Sequence, residues 1–161
     1  MLVDRRSHQA NKPMDFIKVE GNATSRAVPA AVFSLLKNSD TWPRWSMFRS
    51  AVLEQAGRDE PYGVGSIRVF STSVTRAREQ VVELIPDRQL SYVLLSGLPF
   101  RNYRADVCLT SSGGEGTRID WTASFQCRYG TGWFWRLFMN SVLSDMARRL
   151  AVAAEKNSAA G

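Results

Sequence analysis

The end of the chain decides the fold, and residues 113–156 read GGEGTRIDWTASFQCRYGTGWFWRLFMNSVLSDMARRLAVAAEK. After the glycine-rich turn, apolar residues alternate with polar ones, at Ile119, Trp121, Ala123 and Phe125. A period of two predicts a strand with one buried face. Residues 133–156 then change to the three-to-four-residue spacing of an amphipathic helix. A strand followed at once by a long helix therefore closes the chain.

The residue pattern from about Phe48 to Arg128 predicts consecutive strands with no helix between them. The predicted strands cover residues 51–55, 66–74, 76–85, 89–96, 103–110 and 117–127. Before them come a first strand from Phe16 to Arg26, a short helix that starts at Pro29, and a second helical turn through Trp45. This order predicts an α+β fold, in which a curved antiparallel sheet of about seven strands wraps around the long C-terminal helix. A hydrophobic small molecule can sit in the gap between such a sheet and its helix.

The alternation in each strand predicts which side chains point inward. Besides the last strand, inward rows are predicted at Tyr103, Ala105, Val107 and Leu109, and at Leu90, Tyr92 and Leu94. A fourth row continues from Val82 and Leu84 back to Gln80 and Arg78, although Val81 and Ile85 favour the opposite register. In the last helix, the inward stripe is predicted at Trp135, Met139, Val142, Leu143, Met146 and Leu150.

The first turns of this helix are apolar on every side, because Trp133, Phe134, Leu137 and Phe138 extend the apolar surface beyond the stripe. Something has to cover such a surface. Four alternatives stay open at this point: covering loops, a cavity mouth, a homodimer contact and a membrane contact.

Composition indicates one compact domain of 161 residues, with 44% hydrophobic and 22% charged residues. The polar residues 1–13 are predicted to be a disordered tail, and residues 14–157 the domain. We expect no membrane span and no signal peptide, and hence a cytoplasmic protein with free thiols at Cys108 and Cys127. The net charge of +6 comes without a nucleic-acid-binding motif, so it predicts a solvated basic surface that also permits loose contact with anionic membranes.

Candidate catalytic groups are few. The only histidine, His8, lies in the predicted tail, and neither cysteine has a CxxC partner. The acidic residues lack metal-ligand spacing, and the sequence contains no GxSxG nucleophile motif. We therefore expect no metal and no cofactor.

Four segments resemble the START-like (SRPBCC) superfamily and its bacterial polyketide cyclase/dehydrase branch. They are VPAAVFSLLKNSDTWPRW (28–45), GVGS (63–66), VVELIPDRQLSYVLLSG (81–97) and GGEGTRIDWTASF (113–125). Together with the order of elements, they extend the resemblance over roughly residues 14 to 156. The resemblance implies the helix-grip fold, and with it binding of a lipid, isoprenoid, aromatic or polyketide-like molecule.

We therefore predict a carrier, sensor or storage protein for a hydrophobic small molecule. The residues expected to bind it are Trp45, Arg78, Gln80, Tyr92, Tyr103, Trp121, Phe125, Trp135 and Met139. The alternative is a polyketide cyclase, aromatase or dehydratase, in which Arg78 polarises a carbonyl while Tyr92 or Tyr103 moves protons. A third hypothesis is a protein-interaction module that uses the apolar start of the last helix.

Overall fold

The structure, a computed structural model, describes residues 12–114 and 116–161. The predicted disordered tail therefore lies almost wholly outside the described residues. Its last two residues, Lys12 and Pro13, come directly before the first strand.

The elements follow one another in the predicted order. The strands are β1 (Met14–Ser25), β2 (Ser50–Gln55), β3 (Ile67–Ser71), β4 (Arg76–Ile85), β5 (Gln89–Ser96), β6 (Arg101–Ser111) and β7 (Thr117–Arg128). The helices are α1 (Pro29–Lys37), α2 (Trp42–Trp45) and α3 (Gly132–Ala159), with a 3-10 turn at Ser39–Thr41 before α2. The predicted fold is confirmed.

The seven strands form one antiparallel sheet in the order β1-β7-β6-β5-β4-β3-β2. Thus β1 and β2 are the two edges, and β1 joins the sheet beside the last strand rather than beside β2. The long helix α3 crosses the β1 and β7 side of this sheet. Among the described helices, none is both long and apolar enough to cross a membrane.

The core lies between α3 and the inner face of the sheet, as the alternation predicted. The inward residues of β7 and β6 are all buried, and Leu90 and Tyr92 of β5 join them. Met139, Leu143, Met146 and Leu150 supply the buried stripe of α3. Both cysteines are free, as expected.

The predicted inward row of β4 is wrong for three of its four residues. A β-bulge at Val82 separates the pair Val81 and Tyr92 from the pair Glu83 and Ser91. One extra residue reverses the alternation on one side of the bulge. Leu84 therefore packs against the core as predicted, but Ala77, Glu79 and Val81 point inward, not Arg78, Gln80 and Val82.

The apolar start of α3 is not covered by the loops that the structure describes. The relative exposures of Trp133 and Leu137 are 70% and 66%, and those of Phe134 and Phe138 are both 47%. The alternative in which loops cover this surface is therefore wrong. We call these four side chains the aromatic patch.

The first turn of α3 is fixed to the edge of the sheet by Asp15 of β1. Its Oδ2 accepts hydrogen bonds from the backbone N–H groups of Gly130 and Gly132, at 3.0 and 2.9 Å. The N–H groups that begin a helix lack partners within the helix itself, so a carboxylate at this position satisfies them and also favours the helix dipole. A side chain of β1 thus takes the place of a local cap, because Thr131 makes no side-chain cap.

Substituting Asp15 with alanine should lower the free energy of unfolding by about 2 kcal/mol, since hydrogen bonds to a charged group contribute about 1.5–3 kcal/mol. Asp15→Asn keeps one acceptor oxygen and should lose less. Urea unfolding followed by circular dichroism measures both. Equal stability of the alanine variant and the wild type would show that the helix start does not depend on Asp15.

Candidate functional site

A partly enclosed cavity of about 200 Å³ lies between α3 and the β4–β6 part of the sheet. On the helix side its wall is formed by Met139, Val142, Leu143 and Met146, with Phe138 from the aromatic patch at its edge. Other depressions are more open to solvent, and the one beside Lys18 and Asn140 is as polar as it is apolar. The partly enclosed apolar cavity is therefore the candidate site for a ligand.

The position of this cavity follows from how α3 lies on the sheet. At Gly21 of β1, the helix backbone approaches so closely that an added Cβ would be 2.2 Å from the backbone nitrogen of Ser144. The helix thus rests tightly on the β1 edge. Its contacts with the sheet are made mainly with β1 and β7, and the space it leaves over the following strands is the cavity.

Aromatic rings form much of the cavity wall. Trp42 of α2 stacks on Phe70 at a centroid distance of 4.5 Å and meets Trp121 edge-on at 5.9 Å. The indole N–H of Trp42 donates to the carbonyl oxygen of Leu36 at 3.1 Å, which fixes the ring. Such rigid apolar walls favour flat apolar ligands.

One end of the cavity is polar. Tyr92, Tyr103 and Glu79 all line it, on three neighbouring strands. The indole N–H of Trp121 donates to the hydroxyl oxygen of Tyr92 at 3.1 Å. Burial, and then the nearby Glu79 charge, raises the pKa of Tyr103, while burial raises the pKa of Tyr92. Both phenols therefore stay neutral near pH 7 and keep hydroxyl protons that can be donated.

Behind this polar end lies a buried ion pair. Nη2 of Arg68 is 3.3 Å from Oε2 of Glu79, its direct cross-strand neighbour, and the Arg68 side chain is 0% exposed. Its guanidinium carbon is also within 5.0 to 5.3 Å of the ring centroids of Trp42, Phe70 and Tyr92. These cation–π contacts stabilise a charge that has lost its water.

Burial affects both members of the pair. Desolvation raises the pKa of Glu79 to about 7, although the Arg68 charge acts in the opposite direction. Desolvation also lowers the pKa of Arg68. A carboxyl group that lines a cavity therefore changes its protonation near neutral pH.

Four of the nine predicted binding residues line the cavity: Tyr92, Tyr103, Trp121 and Met139. The structure brings them together from three strands and the helix, as the inward rows predicted. Whether they bind a ligand stays a prediction.

The other five predicted residues lie elsewhere. Arg78 is on the outer face of the sheet, where Nε is 2.6 Å from Oε2 of Glu54, and Gln80 is on the same face. Phe125 and Trp135 pack on Phe100, at centroid distances of 4.2 and 4.8 Å, outside the cavity wall. Trp45 is buried beside Trp42, and its indole N–H donates to Thr41.

Sequence reasoning missed Arg68, Glu79 and Trp42. The segment IRVF (67–70) did indicate a buried arginine. Arg68 and Phe70 are two residues apart in a strand and therefore point to the same face. An arginine on the same face as a core phenylalanine indicates an ion pair inside the protein. Its ion-pair partner Glu79 could not be predicted to point inward, because the bulge at Val82 interrupts the alternation of β4.

Among the described residues, no group of three or more His, Cys, Asp or Glu side chains is placed to hold a metal ion. The polar side chains that line the cavity are those of Glu79, Tyr92 and Tyr103, together with Thr72 and Thr75, whose hydroxyl groups hydrogen-bond each other at 2.8 Å.

The antiparallel sheet, the long helix across it and the cavity between them define a START-like protein of the helix-grip class. The model of the family described as "Polyketide cyclase / dehydrase and lipid transport" matches residues 17–155, and the chain belongs to this family. A comparison with curated proteins found no match.

Solved structures show the same fold at low sequence identity. A START superfamily protein from Mycobacterium smegmatis is 14% identical with a TM-score of 0.75, and covers 86% of this chain and 97% of its own. An aromatase/cyclase from a Streptomyces species is 15% identical with a TM-score of 0.73, covering 91% and 99%. Norcoclaurine synthase from Thalictrum flavum is 10% identical with a TM-score of 0.71, covering 91% and 98%.

Proposed function

We propose that the chain binds a hydrophobic small molecule in the cavity, as a carrier, sensor or storage protein, with residues 14–157 as the binding domain. The observation that carries this proposal is the partly enclosed apolar space between α3 and the sheet. The family description, which includes lipid transport, supports it. Burial of about 300 Å² of apolar ligand surface would contribute roughly 7 kcal/mol. The cost of immobilising the ligand then leaves an affinity in the micromolar range.

Filling the cavity tests this proposal. Ala77 is buried and lines the cavity, so Ala77→Phe should occupy about half of the space and weaken binding of the neutral two-ring probe 2-methoxynaphthalene at least about tenfold. Probe fluorescence measures binding, and far-UV circular dichroism shows whether the variant is folded. The matched control is Ala30→Phe, which adds the same ring at an exposed position of α1. Undiminished probe binding by a folded Ala77→Phe protein would contradict the proposal.

A second candidate function is catalysis on a bound intermediate, of the cyclase, aromatase or dehydratase type. One observation favours it, namely that the pKa of Glu79 is raised to about 7 at the end of an apolar cavity beside Tyr103. A group with this pKa is suited to accept and return a proton at neutral pH. The role predicted for Arg78 in such a reaction is wrong, because Arg78 lies on the outer face. Mass spectrometry of a polyketide-type compound before and after incubation with the protein would detect conversion.

The partners and the location remain predictions. The aromatic patch is exposed beside the cavity edge, which suits either a homodimer or contact with an anionic membrane, since Arg136 lies within it. Sedimentation velocity and vesicle flotation separate the two. A cytoplasmic location is supported by the two unpaired thiols.

A further inference from the structure

Only one of the two oxygens of the Glu79 carboxyl group accepts a hydrogen bond from the described residues. Oε2 accepts from Nη2 of Arg68 at 3.3 Å. No hydrogen bond to Oε1 is formed by the described residues, and this oxygen is not among the buried atoms that lack a partner. Since Glu79 lines the cavity, the free oxygen is an acceptor available to a molecule inside it. An acceptor in apolar surroundings gains more from a donor than the same group in water.

The charge of this carboxylate is already balanced. Arg68 is completely buried and does not line the cavity, whereas Trp42 and Tyr92, whose ring centroids lie 5.0 and 5.3 Å from its guanidinium carbon, do line it. A carboxylate on a ligand would therefore meet Glu79 at close range without reaching Arg68, and like charges at such distances repel. A cationic ligand would gain little, because it would lose its water to face an ion pair of zero net charge. The polar end therefore selects a neutral group.

Tyr92 and Tyr103 determine which neutral group of a ligand fits the polar end. The Tyr92 hydroxyl accepts from Trp121, and both phenols keep their protons. The polar end thus presents an acceptor on Glu79 and hydroxyl donors on Tyr92 and Tyr103, all facing one cavity. A hydroxyl group on a ligand can donate and accept at once, which a carbonyl or an ether cannot do.

The size of the cavity limits the rest of the molecule. Apolar cavities of about 150 Å³ hold a benzene ring, so about 200 Å³ holds one ring or two fused rings. Resting on the proposed binding function, we infer that the ligand is a neutral one- or two-ring aromatic molecule whose hydroxyl group donates a hydrogen bond to Glu79. Its rings lie between Trp42, Trp121 and the α3 side chains, and any further chain leaves past Phe138.

A matched set of ligands tests this inference on the wild-type protein. Isothermal titration calorimetry at about pH 8 compares 2-naphthol, 2-methoxynaphthalene and 2-naphthoate, which share one ring system and differ in the head group. We expect 2-naphthol to bind about tenfold to a hundredfold more tightly than the methoxy compound, the ratio that a hydrogen bond to a charged group gives. We expect 2-naphthoate to bind least tightly.

The double variant Arg68→Met/Glu79→Leu locates the preference. It removes both charges together, so neither is left unpaired in the core. In this variant the affinities for 2-naphthol and 2-methoxynaphthalene should differ by no more than about twofold. A change that affects both ligands equally cancels in the ratio of their affinities. If the wild type binds all three ligands equally, or binds 2-naphthoate best, the inference is overturned while the binding function stands. A ratio that is unchanged in the folded double variant overturns it as well. If none of the three ligands and no neutral probe binds, the proposed function itself fails.

Discussion

Substitution of Gly21 with alanine is expected to lower the free energy of unfolding by about 3 kcal/mol or more. The new Cβ would lie 2.2 Å from the nitrogen of Ser144 and 2.4 Å from the carbonyl carbon of Leu143. Both are backbone atoms in the middle of α3, so no side-chain rotation can relieve the contact. Overpacking by a single methyl group costs typically 1–3 kcal/mol and more where the backbone must move. Thermal unfolding should show a decrease of roughly 10 °C.

The neighbouring change Asn22→Ala is the matched control, because it places alanine in the same strand at an exposed position. It should leave stability nearly unchanged. If Gly21→Ala is folded but α3 has moved away from β1, probe binding in the cavity should change together with stability. A Gly21→Ala protein as stable as Asn22→Ala would show that α3 does not rest on this glycine.

Substitution of Arg68 alone with methionine is expected to lower the free energy of unfolding by about 3 kcal/mol or more at pH 8. It leaves the buried carboxylate of Glu79 without its counter-ion, and such loss of one partner costs about 3–5 kcal/mol. In the double variant Arg68→Met/Glu79→Leu, both charges are replaced by apolar groups, and its stability should return to within about 1 kcal/mol of the wild type. Urea unfolding measures the wild type, the single variants Arg68→Met and Glu79→Leu, and the double variant. Simple addition of the two single losses would rule out a coupled pair.

The pH dependence of stability gives an independent check on the same pair. In the folded protein the pKa of Glu79 is raised from 4.5 to about 7, mainly by desolvation. Between these values the folded state binds more protons than the unfolded state, so this group's contribution to stability falls as the pH rises through the window. The double variant lacks the group. Relative to it, the wild type should therefore lose stability between about pH 5 and 8, and parallel pH profiles would contradict the raised pKa.

Much of the fold could be predicted because its signals are local. The alternation in β6 and β7, and the stripe from Met139 to Leu150, each depend on residues close together in sequence. The same rows correctly placed Tyr103 and Trp121 on the cavity wall. A residue's face follows from its neighbours as long as a strand is regular.

The rest could not be predicted, because it depends on partners distant in sequence. Three contacts join β1 to the last helix: the hydrogen bond from the backbone N–H of Glu20 to Oδ1 of Asn140, the hydrogen bonds that Asp15 accepts, and the approach of α3 to Gly21. The inward position of Glu79 depends on the pairing of β4 with β5. Sequence alternation alone cannot show where a bulge interrupts that pairing.

The bulge at Val82 also makes the cavity wall depend on the length of a strand. On its N-terminal side the inward set is Glu79 and Val81, paired with Leu94 and Tyr92. One residue inserted in β5 opposite Val82 would remove this register shift. Gln80 and Val93, in place of Glu79 and Tyr92, would then be in phase with Leu84 and Leu90 of the inner face. The number of residues in β5, and not only the identity of the side chains, thus determines whether a carboxyl group faces the cavity.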